Sequence, residues 1–298
     1  MLPKLLLNPH ACPALRSLRL GFATAAIRLY AFVKLIHTFS SNTNCLRPFL
    51  VGATFSPAFY IAMNKSTALF SCAALFAALH VAVAGEITGT VTLKGTPPKE
   101  KDITPLKDDA TCGKLHSEMP TTHFYVVNAN GELADVVVFL KEVPGAKSTG
   151  ATAEPVTLDQ KGCEYTPQIL AVQTGQKIVV KNSDPVMHNV HDLPTVAGNN
   201  EVNQAQMPGS GDLTFTFDKP EMFLKFKCDV HPWMFAWVSV FDNPCFAVSD
   251  KDGNFKIKNV PAGKYTIEAI HRKAGSTKQE IEVKDGAPTK VDFTLEAK

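Results

Sequence analysis

Two stretches decide how this chain reads: Asn182-Ser183-Asp184-Pro185-Val186-Met187-His188-Asn189-Val190-His191 and Lys227-Cys228-Asp229-Val230-His231-Pro232-Trp233-Met234. Each follows an alternating run, Lys177–Lys181 and Phe223–Lys227, so each starts where a strand ends. Working outward, the chain from Gly85 is broken into short runs by Gly, Pro and Asn. Further strands are expected at Ile87–Leu93, Val136–Leu140, Gln168–Val172, Thr214–Asp218, Ala236–Phe241, Asn254–Ile257, Tyr265–His271 and Lys290–Glu296. Only Thr104–Leu115 offers room for a helical turn. Short strands at this spacing predict an all-β protein built of sandwiches or barrels, in two units with a boundary near Pro244.

The donor types narrow the chemistry. Two imidazoles (His188, His231) and a thiolate (Cys228) can share a plane, with the Met234 thioether as a weak axial ligand. Such a His₂Cys set with an axial Met suits copper, since soft sulfur tolerates both oxidation states. One tight loop delivers Cys228, His231 and Met234, while His188 arrives from another strand. His191 is expected on the opposite strand face, as a surface or supporting residue. His116, His123 and His271 lie outside any ligand spacing.

The loop Cys228-x-x-His231-x-x-Met234 is preceded by Tyr165-Thr166-Pro167 and by Gly175-Gln176-Lys177-Ile178-Val179-Val180-Lys181-Asn182. On these residues, segment 151–243 resembles the cupredoxins, the small blue copper proteins, in their amicyanin- and plastocyanin-like branch. The resemblance implies a Greek-key β-sandwich holding one type 1 copper ion through His188, Cys228, His231 and Met234. It also implies that Asn189 ties the two ligand loops together and that His231 is the exposed exit for electrons. Pro185, Met187, Pro232, Trp233 and Phe235 would form the apolar patch where redox protein partners dock; Phe235 reads equally well as core. The implied function is one-electron carriage between partners whose identity stays open. The alternatives are periplasmic copper carriage or sensing, and a structural β-sandwich binding protein.

Enzyme readings fit less well. There are no paired His-x-His motifs for a multicopper cluster, and one Cys stands in the ligand loop where a binuclear centre needs two. A Cys228–His231 nucleophile pair would leave His188 and Met234 without a role. The expectation is no enzyme.

The flanks carry different signals. Asp250-Lys251-Asp252-Gly253 and Pro261-Ala262-Gly263 supply tight turns between alternating runs, and 244–298 resembles the carboxypeptidase regulatory-like, transthyretin-like (starch-binding-like) β-sandwich. Gly85–Gly95 resembles the opening strand of that module. Residues 85–150 are thus an N-terminal β arm that either belongs to the flanking module or stands beside it. The module's expected role is structural or protein-binding. Carbohydrate binding is weaker, for want of a Trp platform, and Asp250 and Asp252 read as turn residues.

Charge separates the N-terminus from the rest. Of the 30 Lys and Arg, seven precede Glu86 (Lys4, Arg16, Arg19, Arg28, Lys34, Arg47, Lys65), and none of the 28 acids does. From Gly85 onward, 23 basic residues therefore face 28 acidic ones, a net of −5, which argues against nucleic acid as a partner. Met63-Asn64-Lys65, an apolar run and Ala82-Val83-Ala84 have the pattern of a signal peptide over 63–84, with cleavage near Ala84 and a periplasmic or secreted product. The run is shorter than the ~20 residues of a membrane span. Residues 1–62 read as an extension outside the fold. In an oxidising compartment Cys112, Cys163, Cys228 and Cys245 remain. Cys112–Cys163 is the expected disulfide with Cys245 a free thiol; Cys163–Cys228, which would consume the copper thiolate, stays open.

Overall fold

The computed structural model describes residues 84–298. The extension over 1–62 and the signal peptide, apart from Ala84, lie outside them. Among the described residues no helix is long and apolar enough to cross a membrane.

Among the described residues seventeen strands form four sheets, and almost all regular structure is β. The N-terminal strand β1 (Gly85–Lys94) alternates buried and half-buried residues along its length. After it come a one-turn helix α1 (Thr104–Asp108), a 3-10 turn (Cys112–Leu115) and strand β2 (Val137–Leu140). Then follows a contiguous block: β3 (Val156–Gln160), β4 (Tyr165–Thr166), β5 (Ile169–Gln173), β6 (Ile178–Asn182), β7 (His188–Leu193), β8 (Asn203–Gln206), β9 (Leu213–Phe215), β10 (Glu221–Lys227) and β11 (Phe235–Phe241). The chain finishes with β12 (Phe246–Val248), β13 (Asn254–Val260), β14 (Gly263–His271), β15 (Gly275–Val283), β16 (Pro288–Lys290) and β17 (Phe293–Glu296).

The block β3–β11 makes one sandwich. One sheet has the order β4-β3-β6-β9 and the other β5-β11-β10-β7-β8. Pairing is parallel for β3 with β6 and β5 with β11, and antiparallel elsewhere. Between the sheets lies one core in which Phe226 is fully buried, with Phe215 and Phe217 edge-on at 5.4 and 6.0 Å. Along β10, Leu224 and Phe226 point inward while Lys225 and Lys227 point out, the period of two expected of a sheet with one dry face.

The remaining strands make the second sandwich, and both ends of the chain contribute to it. β1 pairs antiparallel with β13 and parallel with β16 and β17. β2 lies between β12 and β14, with β15 on the outer edge. Ile87, Val138, Phe255, Ile267 and Phe293 share its core. The first sandwich is therefore inserted between β2 and β12 of the second. Gly89 is required where β1 meets its neighbour: a Cβ there would stand 1.7 Å from the Val291 carbonyl oxygen. A small cluster joins the two sandwiches, with Phe241 between Phe139 and Phe246 at centroid distances of 5.1 and 4.7 Å.

The segment between β1 and β2 is less of a strand than expected. Its helical part docks on the inserted sandwich, burying Leu106 in that core. Asp109 accepts the N–H groups of Thr111 and Cys112 and so starts the 3-10 turn. Farther on, Leu133 N–H donates to Val91 O and returns the chain to β1.

Candidate metal centre

β7 opens on His188, and the turn from β10 to β11 carries Cys228, His231 and Met234. The turn is short because Met234 N–H donates to His231 O and Cys228 N–H to Met234 O. β7 and β10 are hydrogen-bonded neighbours, with Lys227 opposite His191, so the two ligand-bearing ends emerge at the same edge of one sheet.

His188 Nδ1 lies 2.9 Å from His231 Nδ1, and Cys228 Sγ lies 3.6 Å from the latter nitrogen. One donor atom from each of His188, Cys228 and His231 falls within 4.8 Å of the others. All three residues are buried, and Met234 beneath them is fully so. Two ring nitrogens and a thiol sulfur brought together in a buried cluster, with Met234 in the same core, form a donor set for a soft metal ion.

Surrounding groups fix these donors. Asp184 Oδ2 accepts His188 Nε2–H at 2.9 Å, which turns Nδ1 toward the centre. Burial alone would lower the His188 pKa, but the Asp184 and Cys228 partners outweigh it and raise it. For Asp184 burial is outweighed by His188 and by the N–H groups of Cys163 and Gly162, so its carboxyl stays below the usual range. Burial pushes the Cys228 thiol up, yet hydrogen bonds from His188 and from the Asn189 N–H, 3.4 Å from Sγ, bring it below its ordinary value. The His231 pKa is lowered by burial and by His188.

Asn189 bridges the two ligand segments. Its N–H reaches Cys228 Sγ, its Oδ1 accepts the Asp229 N–H, and its Nδ2 donates to Asp229 Oδ2 at 3.2 Å. Tyr165, at the end of the other sheet, sends its hydroxyl toward the Asn189 and Lys227 carbonyls, each at 3.3 Å. His191 sits away from the centre between Asp229 Oδ2 (2.8 Å) and Glu201 Oε1 (2.7 Å).

The surroundings of His231 differ from expectation. It is 7% exposed, not an open exit. Cys112 and Cys163 form a disulfide whose sulfurs and a ring nitrogen of His231 lie within 4.8 Å of one another. The 3-10 turn that carries Cys112 is therefore pinned over the ring, and Trp233 Nε1–H donates to Cys163 O at 3.0 Å beside it. The expected docking patch is divided accordingly. Pro185 and Pro232 are exposed, and Met187 and Trp233 are half-buried. Phe235 faces the outer side of the sheet, 6.4 Å from Phe124, apart from the others. Cys228 and Cys245 are free and buried.

Asp184 went unread in the sequence. The signal was an acid four residues before the first His, in a loop whose Pro185 makes it look like mere turn chemistry. His116 Nε2 bonds Gly162 O, and His271 lies on β14 of the second sandwich. Asp250 caps its turn by accepting the Asp252 and Asn254 N–H groups.

Fold and site together define a two-sheet β-sandwich with a buried His188, Cys228 and His231 donor cluster, set inside a second β-sandwich. Residues 236–296 match the family model described as carboxypeptidase regulatory-like domain. That span covers the later strands of the second sandwich and leaves β1 and β2 outside it. No curated protein matches the chain. Among solved structures it is similar to the copper-containing nitrite reductase of Thermus scotoductus SA-01, at 23% identity over 34% of this chain and 25% of that one, TM-score 0.27. It is similar to a variant of amicyanin in the Cu(I) form, at 19% identity over 35% of this chain and 97% of that one, TM-score 0.26. An oxidised amicyanin variant gives 21% identity with the same coverage and a TM-score of 0.26. The chain thus spans a quarter of the nitrite reductase's length and nearly all of amicyanin's.

Proposed function

We propose that the chain binds one copper ion through His188, Cys228, His231 and Met234 and carries single electrons between redox partners outside the cytoplasm, without catalysing a reaction of its own. The observation that supports this is the buried convergence of two Nδ1 atoms and a thiol at one edge of the sheet. When bound, copper would supply one-electron cycling between Cu(II) and Cu(I). The chain's residues would supply rigidity. Asp184 keeps His188 in one tautomer, Asn189 holds the Cys228 sulfur by a hydrogen bond, and the core fixes Met234. Ligands held this way change little when the charge of the centre changes.

The test is spectroscopic. Loading the purified chain with Cu(II) should give an intense blue thiolate-to-copper absorption, and Cys228→Ser should abolish it. A colourless protein, or colour that survives in the Ser variant, would overturn the reading. A second reading, copper holding and handover, is favoured by the covered ring of His231. Slow electron exchange with small redox reagents, combined with Cu(I) transfer to a chelator, would select it over carriage of electrons.

A further inference from the structure

On the outer face of β10 and β11, away from the metal ligands, lies a pocket of about 160 Å³ at the seam of the two sandwiches. Its walls are aromatic: Trp237 and Phe235 from β11 and Phe124 from the segment before β2. Three of its polar groups are cations, Lys225, Arg272 and Lys273. Arg272 stacks on Trp237 with its guanidinium carbon 3.1 Å from the ring centroid. Lys225 Nζ stands 5.7 Å from the same ring, and Lys273 Nζ 4.1 Å from that of Phe124.

Arg272 carries the argument. Stacking occupies the face of a guanidinium and leaves its N–H donors pointing outward in the plane. The Nη1 group is buried and has no hydrogen-bond partner. A buried donor left unpaired is costly and uncommon in native proteins. The negative group in the pocket is Asp135, against three cations. His271 adds no acceptor of comparable strength at Nδ1, which already takes the N–H groups of Lys273 and Ala274. A guanidinium with free in-plane donors matches a carboxylate, which it binds with two parallel bonds. The rest of the cavity is lined by rings, and a cavity of roughly 150 Å³ is known to hold benzene.

We propose that this seam pocket is a binding site for a small aromatic carboxylate, its carboxyl on Arg272 and its ring between Trp237, Phe235 and Phe124. The inference is independent of copper, because none of these residues is a metal ligand.

Titration of the purified chain with sodium benzoate tests it, by calorimetry and by the indole N–H resonance of Trp237. One saturable site is expected, with that resonance shifted. Benzyl alcohol, which has the ring without the charge, and inorganic phosphate, which has charge without the ring, should each bind at least tenfold more weakly. Arg272→Met should lower benzoate affinity at least tenfold. If that variant fails to fold, Lys273→Met on the rim serves, with a several-fold loss expected. Absence of saturation, phosphate binding as tightly as benzoate, or unchanged affinity in the folded variant would each overturn the proposal.

Discussion

Asp184 holds two parts of the site at once: Oδ2 accepts Nε2–H of His188 at 2.9 Å, and the same carboxylate accepts the Gly162 and Cys163 N–H groups at 2.7 Å each. The His188 ring and the disulfide loop are thereby oriented by one side chain. Asp184→Asn should keep the fold but weaken the acceptor that fixes the His188 tautomer. Copper affinity, measured by competition with a chelator, should fall about 10- to 100-fold. An unchanged affinity would show that the carboxylate serves the loop alone.

The disulfide closes a loop with a sequence separation of 51. Loop-closure entropy for that length gives an upper stabilisation of about 4 kcal/mol. The double variant Cys112→Ser, Cys163→Ser should lower urea stability by up to that amount. It should also free the turn over His231, so that a chelator strips bound copper faster. Equal stripping rates in both proteins would mean that the ring stays covered by other contacts.

Much of this was legible in the sequence. Ligand order, the loop Cys228-x-x-His231-x-x-Met234 and the alternating strands leading into it need only period and donor chemistry. Among the features that escaped, three show why. β15 (Gly275–Val283) is an edge strand, exposed for much of its length, so no apolar alternation marks it. β8 (Asn203–Gln206) buries only Gln206, and the amide pairing of that residue with Gln160 carries no hydrophobic signal. The burial of His231 depends on Cys112, remote in sequence from the ligand loop, and spacing within the loop says nothing about a cover brought from elsewhere.

Two buried groups at the seam should oppose each other in acid. Burial raises the Asp135 carboxyl from 3.8 to about 6, with His123 pulling the other way. An acid with a raised folded pKa lowers stability once ionised, so its contribution falls as pH rises from about 4 to about 6. Burial lowers His271 from 6.5 to about 4. Its contribution runs in reverse: stability is lost as pH falls from 6.5 toward 4, because the unfolded state takes up the proton first. The wild-type profile should therefore be shallow across this window. Asp135→Asn, a change that suits the left-handed backbone there (φ 60°), should expose the His271 limb. It should also add on the order of 1 kcal/mol near pH 7. Denaturant melts from pH 4 to 7 check both, and parallel profiles for the two proteins would refute the assignment.

Gly89→Ala should injure the outer sandwich selectively. The new methyl would meet the Val291 backbone, which cannot swing aside as a side chain can. A loss on the order of 2 kcal/mol or more is expected for such overpacking. Copper colour should persist at temperatures where the β1 amides have lost exchange protection. Simultaneous loss of both would mean that the two sandwiches unfold as one.

The insertion also sets a timetable for synthesis. β1 is made first of all the described strands, yet its partners in β13 and β17 are among the last, with a separation of 202 between Lys94 and Glu296. The inner sandwich is contiguous in sequence and can close while the ribosome is still extending the chain; β1 must wait with both edges open. Charged Glu86 and Lys94 flank its apolar positions and limit pairing with other chains during that interval. Any cut that removes the last strands therefore strands the first one too, and leaves a folded inner sandwich carrying a sticky N-terminal ribbon.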